Sequence, residues 1–115
     1  MLRFNSDHKF KIMQIADTQE IPAVSPDTLS LINNALDREK PDLVIFTGDQ
    51  IKGYSKKFKK DPAIIEGTID TLVEPIAKRN IPFMVTYGNH DAQCGVDNRG
   101  QYKFYAKYDN FISGD

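Results

Sequence analysis

The chain has 115 residues, 40% hydrophobic and 27% charged, with 15 Lys plus Arg against 16 Asp plus Glu and a formal net charge of −1. That composition excludes a disordered tail, and no apolar run approaches the roughly 18 residues of a membrane-spanning helix. A near-neutral balance also gives no global electrostatic attraction to nucleic acid or to a membrane surface.

The first ordered stretch, Phe10 to Ala16, is short, largely apolar and free of Gly and Pro, which predicts a strand. Ser25-Pro26-Asp27 is a strong helix start. The serine can accept from a free amide, and proline at the first helical position gives up only an amide with no partner. Leu29, Ile32 and Leu36 follow at helical spacing, and Lys40-Pro41 ends the run. Leu43-Val44-Ile45-Phe46 is a continuous apolar run, the pattern of a strand covered on both faces. Asp61-Pro62 repeats the cap-plus-proline start, and Ile65, Ile69, Leu72, Val73 and Ile76 form an apolar stripe. Pro75 predicts a kink or break in the last turn, and Asn80 a left-handed terminator. Phe83 to Tyr87 reads as a third strand. Arg99 to Phe111, with Tyr102, Phe104, Tyr105, Tyr108 and Phe111, reads as a third helix with an aromatic stripe. The order βαβαβα with two right-handed crossovers predicts an α/β domain on a three-stranded parallel sheet.

In such a sheet, ligands gather beyond the carboxyl ends of the strands. Strand one runs into Asp17-Thr18-Gln19, strand two into Thr47-Gly48-Asp49-Gln50, and strand three into Gly88-Asn89-His90-Asp91. Oxygen and imidazole ligands therefore collect on one edge. Carboxylates leaving neighbouring strands, about 4.8 Å apart, can share a cation or a pair of cations. Gly48 and Gly88 precede the ligand residues, where the chain must turn sharply and approach closely. For Asp17 alone a plain polar turn is the simpler reading; three such loops on one edge point to a metal site.

Gly48-Asp49, followed some forty residues later by Gly88-Asn89-His90-Asp91 with Asp17 upstream, resembles the calcineurin-like metallophosphoesterase superfamily, and within it the purple-acid-phosphatase-like subgroup. The resemblance runs from about Phe10 to Phe111. It implies the parallel βαβαβα half of a four-layer α/β/β/α sandwich, two divalent metal ions (Mn, Fe, Zn or Mg) and a phosphate-ester substrate hydrolysed by a metal-activated water. By the same resemblance Asp17, Gln19, Asp49 and Asn89 are metal ligands, with Asp49 bridging. His90 contacts the phosphate and helps protonate the leaving group, and Asp91 orients it.

Two departures bear on this reading. Gln19 stands where the family usually has His, which leaves an amide oxygen in place of imidazole and moves preference towards Mn or Mg. The chain has only two histidines, His8 and His90, so the family's later His motifs are absent. His8, before strand one, reads as a solvated surface residue at the opposite edge. Asp97, Asp109 and Asp115 lie in or beyond the last helix and replace nothing. Residues 1–115 are thus expected to be the amino-terminal part of one metallophosphoesterase domain, inactive alone and leaving an apolar sheet face that a second copy could cover. The alternative is a catalytically degenerate module that binds metal, phosphate or a partner. An Asp-phosphorylated receiver-like domain would share the acidic edge but gives no reason for Gly88-Asn89-His90-Asp91.

Lys52, Lys56, Lys57, Lys59 and Lys60 crowd the loop after Asp49. They read either as a solvated, mobile run or as an electropositive rim for a phosphorylated substrate. The aromatic stripe reads as packing rather than base stacking, and neither a dinucleotide fingerprint nor a Walker loop is present. One cysteine, Cys94, excludes an internal disulfide, and the polar Met1–Lys9 start lacks a signal-peptide core; both lead to a cytoplasmic expectation.

Overall fold

A computed structural model describes residues 6, 7, 9–88 and 91–112. Three parallel strands, β1 (Ile12–Ile15), β2 (Leu43–Thr47) and β3 (Phe83–Thr86), lie side by side in sequence order. They are linked by α1 (Pro26–Glu39) and α2 (Pro62–Ala77), and α3 (Asn98–Ala106) follows β3. Both crossovers step one strand in the same direction, and the right-handed rule then sends both helices to one face. The core shows it. Val44, Phe46 and Phe83 cluster with Ile32 and Leu36 of α1, Ile65, Ile69, Leu72, Val73 and Ile76 of α2, and Tyr105 of α3. The register pairs Met13 with Val44 and Phe83, and Ile15 with Phe46 and Val85, so these six share the packed face.

The helix starts are as the sequence predicts. Ser25 accepts from the Asp27 amide and Asp61 from the Ala63 amide, each with proline in the first turn. Lys40 (φ 45°) closes α1 in the left-handed region, whereas α2 is capped by Lys78 in right-handed backbone and the left-handed Asn80 (φ 55°) follows two residues later, in the turn towards β3. A break at Pro75 does not occur. The helix continues to Ala77 with Pro75 buried in the core, and the Arg79 guanidinium donates to the Pro75 carbonyl at 2.7 Å. So close to the end, proline deletes one hydrogen bond and leaves the rest of the ladder intact.

The third helix is shorter than the aromatic stripe. It stops at Ala106, and residues 107–112 turn back so that Phe111 bridges Phe83. The outer edge of β3 provides the cause: the Phe83 amide donates to the Asn110 carbonyl (3.0 Å), and the Ile112 amide donates to the Phe83 carbonyl (2.8 Å). The Phe111 ring then lies 5.3 Å from that of Phe83 and 5.4 Å from that of Tyr102. Filling a sheet edge and burying a ring outweigh local helix periodicity. The aromatic residues here are packing, as expected. His8 lies outside the described residues.

Candidate functional site

The loops after β1 and β2 run alongside each other beyond the strands. The Asp17 amide donates to the Gly48 carbonyl (3.1 Å), Gln19 to Asp49 (2.9 Å) and Glu20 to Gln50 (3.2 Å). Three expected ligands on this edge hold positive φ: Asp17 at 54°, Gln19 at 43° and Asp49 at 53°. A non-glycine residue held there costs on the order of 1 kcal/mol or more, so the surrounding bonds must impose it. At Gly48 (φ 119°) an added Cβ would lie 2.8 Å from the Gly88 amide nitrogen, and at Gly88 it would lie 2.2 Å from Asp49 Oδ1. The missing side chain of Gly88 is therefore the cradle in which the Asp49 carboxylate rests.

Asp91 holds the cradle together. It is fully buried; its Oδ2 accepts from the Asp49 amide (2.8 Å) and the Gly88 amide (2.9 Å), and its Oδ1 from the Ile51 amide (3.2 Å). One carboxylate thus joins the β2 loop to the β3 loop through three charge-assisted bonds. The family resemblance implies that Asp91 orients His90; among the described residues it fixes the backbone that presents Asp49. Asn89 and His90 lie outside the described residues.

Three further polar residues complete the edge, and motif reading did not single them out. Gln50, 2% exposed, accepts from the Gly48 amide (2.7 Å) and donates to the Thr86 carbonyl (3.1 Å), bracing one strand end against the next. Glu20 is buried; it accepts from the Ser25 amide (3.2 Å) and from the Thr28 hydroxyl, which ties the Asp17 loop to the start of α1. Gln101 of α3 donates to the Asp91 carbonyl (2.6 Å) and the Val96 carbonyl (2.8 Å). Only Gln50 had a sequence signal, as the residue directly after Gly48-Asp49. Burial pushes the Cys94 thiol up and keeps it protonated, which fits a passive loop thiol. Burial, with the Asp91 carboxylate adding to it, raises the Tyr87 phenol to about 12.

The donor chemistry of this edge is carboxylate and amide oxygen from Asp17, Gln19 and Asp49, which suits a hard divalent cation. Its number is insufficient. Among the described residues no three His, Cys, Asp or Glu side chains group closely enough to hold a metal.

Residues 10–114 match the calcineurin-like phosphoesterase family. The chain belongs to that family. Among its relatives, "Probable inactive purple acid phosphatase 14" of Arabidopsis thaliana is 28% identical over 128 residues, covering 97% of this chain and 31% of that protein. "Phosphatase DCR2" of Saccharomyces cerevisiae is 32% identical over 105 residues, covering 78% of this chain and 17% of that protein. An uncharacterized metallophosphoesterase of Aquifex aeolicus is 28% identical over 91 residues, covering 77% of this chain and 31% of that protein. The chain therefore spans less than a third of the length of these relatives. A solved crystal structure superposes with a TM-score of 0.59 at 17% identity, over 89% of this chain and 45% of its own. The three-stranded sheet with its one-sided helices is thus an α/β half-sandwich of the metallophosphoesterase fold.

Proposed function

We propose that this chain supplies the first half of a metal-dependent phosphoesterase site, with Asp17, Gln19, Asp49 and Asn89 as its share of the ligands of two divalent cations. The observation that carries the reading is the Asp49 carboxylate seated on Gly88 in strained backbone, at an edge shared with Asp17 and Gln19. Bound cations of this kind supply a water of lowered pKa and clamp the phosphoryl oxygens for in-line attack. Asp91 sets the direction of Asp49 through its amide, and His90, next in sequence to Asp91, serves as the proton donor to the leaving alkoxide. The remaining ligands come from sequence of the kind the longer relatives carry beyond the matched part.

The test is Mn²⁺-dependent hydrolysis of p-nitrophenyl phosphate by these 115 residues and by a chain extended to the relatives' length. The extended chain should turn over and Asp49→Asn should abolish turnover; with an alkyl ester such as glycerol phosphate, whose alkoxide needs a proton to leave, His90→Ala should cut turnover by about 10²–10⁴. The 115-residue chain should bind Mn²⁺ weakly and give no turnover. Turnover that survives Asp49→Asn ends the proposal.

A second reading has its own support: Gln19 replaces imidazole, and three plant relatives are called "Probable inactive" purple acid phosphatases. On that reading the same edge binds phosphate or a partner without hydrolysis, and the extended chain would bind Mn²⁺ yet leave the ester intact.

A further inference from the structure

The lysine-rich segment after Asp49 keeps Lys56, Lys57, Lys59 and Lys60 exposed but is anchored by local structure. Ser55 caps a short 3₁₀ helix, Lys56–Phe58, by accepting from the Lys57 amide, and Phe58 is completely buried in the core. The Asp61 amide donates to the Phe58 carbonyl (2.9 Å), which fixes the exit. Around this anchor lies a pocket of about 340 Å³ whose walls include Tyr54, Lys56, Lys59, Lys60, Gln93 and Cys94. Its two sides belong to the two loops that Asp91 ties together, since the Ile51 amide bonds Asp91 and Gln93 and Cys94 lie in the 3₁₀ helix that Asp91 begins. Gly95 (φ 100°) would place a Cβ 3.1 Å from Lys60 Cγ, so the stem of Lys60 packs on the backbone of the second loop.

The lysines at this pocket, Lys56, Lys59 and Lys60, form no ion pair among the described residues, whereas Lys11 and Lys107 both have acidic partners. Asp61, the nearest acid in sequence, is engaged as the cap of α2. Lys59 (φ 53°) and Lys60 (φ 52°) are successive left-handed residues, a costly conformation that turns two ammonium-bearing side chains out of one tight bend. A pocket of this size, lined by three lysines, suits a compact polyanion.

We infer that the lysine-walled pocket is a second anion subsite, and that the substrate is a phosphate ester carrying at least one further phosphate group. The substrate assignment rests on the proposed phosphoesterase site; the anion recognition does not. One phosphate sits at the Asp49 edge while the further one is held by Lys56, Lys59 and Lys60 across the Asp91-braced loops. The ammonium groups act as point charges, so affinity should fall steeply with salt.

The probe is sodium tripolyphosphate, with orthophosphate as comparison, titrated into the ¹⁵N-labelled chain in metal-stripped, low-salt buffer. Amide shifts should concentrate at residues 54–60 and 93–95. Lys56→Gln/Lys59→Gln/Lys60→Gln should weaken tripolyphosphate binding roughly tenfold, the sum of three exposed charge contacts. Lys40→Gln/Lys78→Gln/Lys103→Gln removes the same net charge from exposed positions elsewhere and should change it less than about twofold. Equal weakening by both triples, or shifts spread over the surface, overturns the inference, as does orthophosphate binding as tightly as tripolyphosphate. The two readings fail separately. If tripolyphosphate still binds the pocket but Asp49→Asn leaves hydrolysis unchanged, the phosphoesterase site and the substrate assignment fall and only the anion recognition stands.

Discussion

The two faces of the sheet are built from the same three strands and have opposite fates. One face presents Met13, Ile15, Val44, Phe46, Phe83 and Val85 to the helices, and Val44, Phe46 and Phe83 are fully buried there. The other carries Ile12 and Gln14 on β1, Leu43, Ile45 and Thr47 on β2, and Met84 and Thr86 on β3, of which Leu43 is buried. Gln14 donates to the Thr47 hydroxyl at 3.1 Å, and Ile12 is 55% exposed. The helices cover only one face because both crossovers step the same way, not because the second face is polar. The sequence reading of β2 as covered on both faces holds fully on the packed face and partly on the other, where Leu43 is buried and Ile45 and Thr47 are half-buried. The second face is also less apolar than expected for a surface awaiting a second sheet, since every strand contributes a polar residue to it.

The largest effect that sharpens this contrast is on the packed face. Phe46→Ala should cost about 3–5 kcal/mol of unfolding free energy, read by urea denaturation followed by circular dichroism. A loss similar to that of Ile45→Ala would show the two faces to be equivalent.

Second comes the strand-end edge that both faces share. Asp91→Ala strands three amides and should cost about 3 kcal/mol, while Asp91→Asn, which keeps one acceptor oxygen, should cost less. Equal losses would mean that burial of the side chain, and not its bonding, holds the loops. Hydrogen exchange at the Asp49, Ile51 and Gly88 amides reads the same interaction site by site, with faster exchange expected in both variants.

Third, Ile12→Lys on the open face should change stability by no more than about 1 kcal/mol, since Ile12 is 55% exposed. The same substitution tests association. Sedimentation in which the parent chain self-associates and Ile12→Lys does not supports pairing through this face; two monomers exclude it.

The smallest effect concerns Tyr87, whose hydroxyl is buried without a partner among the described residues. Its pKa, pushed up to about 12 by burial and then by Asp91, exceeds the unfolded value near 10. The neutral phenol is the form the fold favours, so its contribution is complete below pH ~10 and is lost as pH rises towards ~12. Urea midpoints measured across that range should fall, and less steeply in Tyr87→Phe. At neutral pH that substitution should be neutral or stabilising by up to about 1 kcal/mol, because it removes an unpaired polar group.

Much of the fold was legible in order. Ser25-Pro26 and Asp61-Pro62 mark helix starts because capping is a local interaction, and the three apolar runs mark strands because burial leaves a local pattern. That Asp17, Asp49 and Gly88 share an edge followed from parallel topology alone. What stayed hidden was long-range. Nothing near Phe111 in sequence says that the open edge of β3 will draw it off the helix. Nor does the sequence say that Asp91 accepts from amides some forty residues away, or that Gln101 and Glu20 brace the same loops.

By itself the sequence determined the class, the family and the composition of the strand-end edge, since capping, alternation and the Gly88-Asn89-His90-Asp91 run are written within short stretches. The tertiary structure decided how that edge is held. The left-handed turns at Asp17, Gln19 and Asp49, the seat on Gly88 and the lysine-walled pocket depend on backbones that meet only after folding. The lysine run was already visible between Lys52 and Lys60 despite a net charge of −1; only the fold sets Lys56, Lys59 and Lys60 around one pocket with Gln93 and Cys94, because those come from a loop some forty residues away.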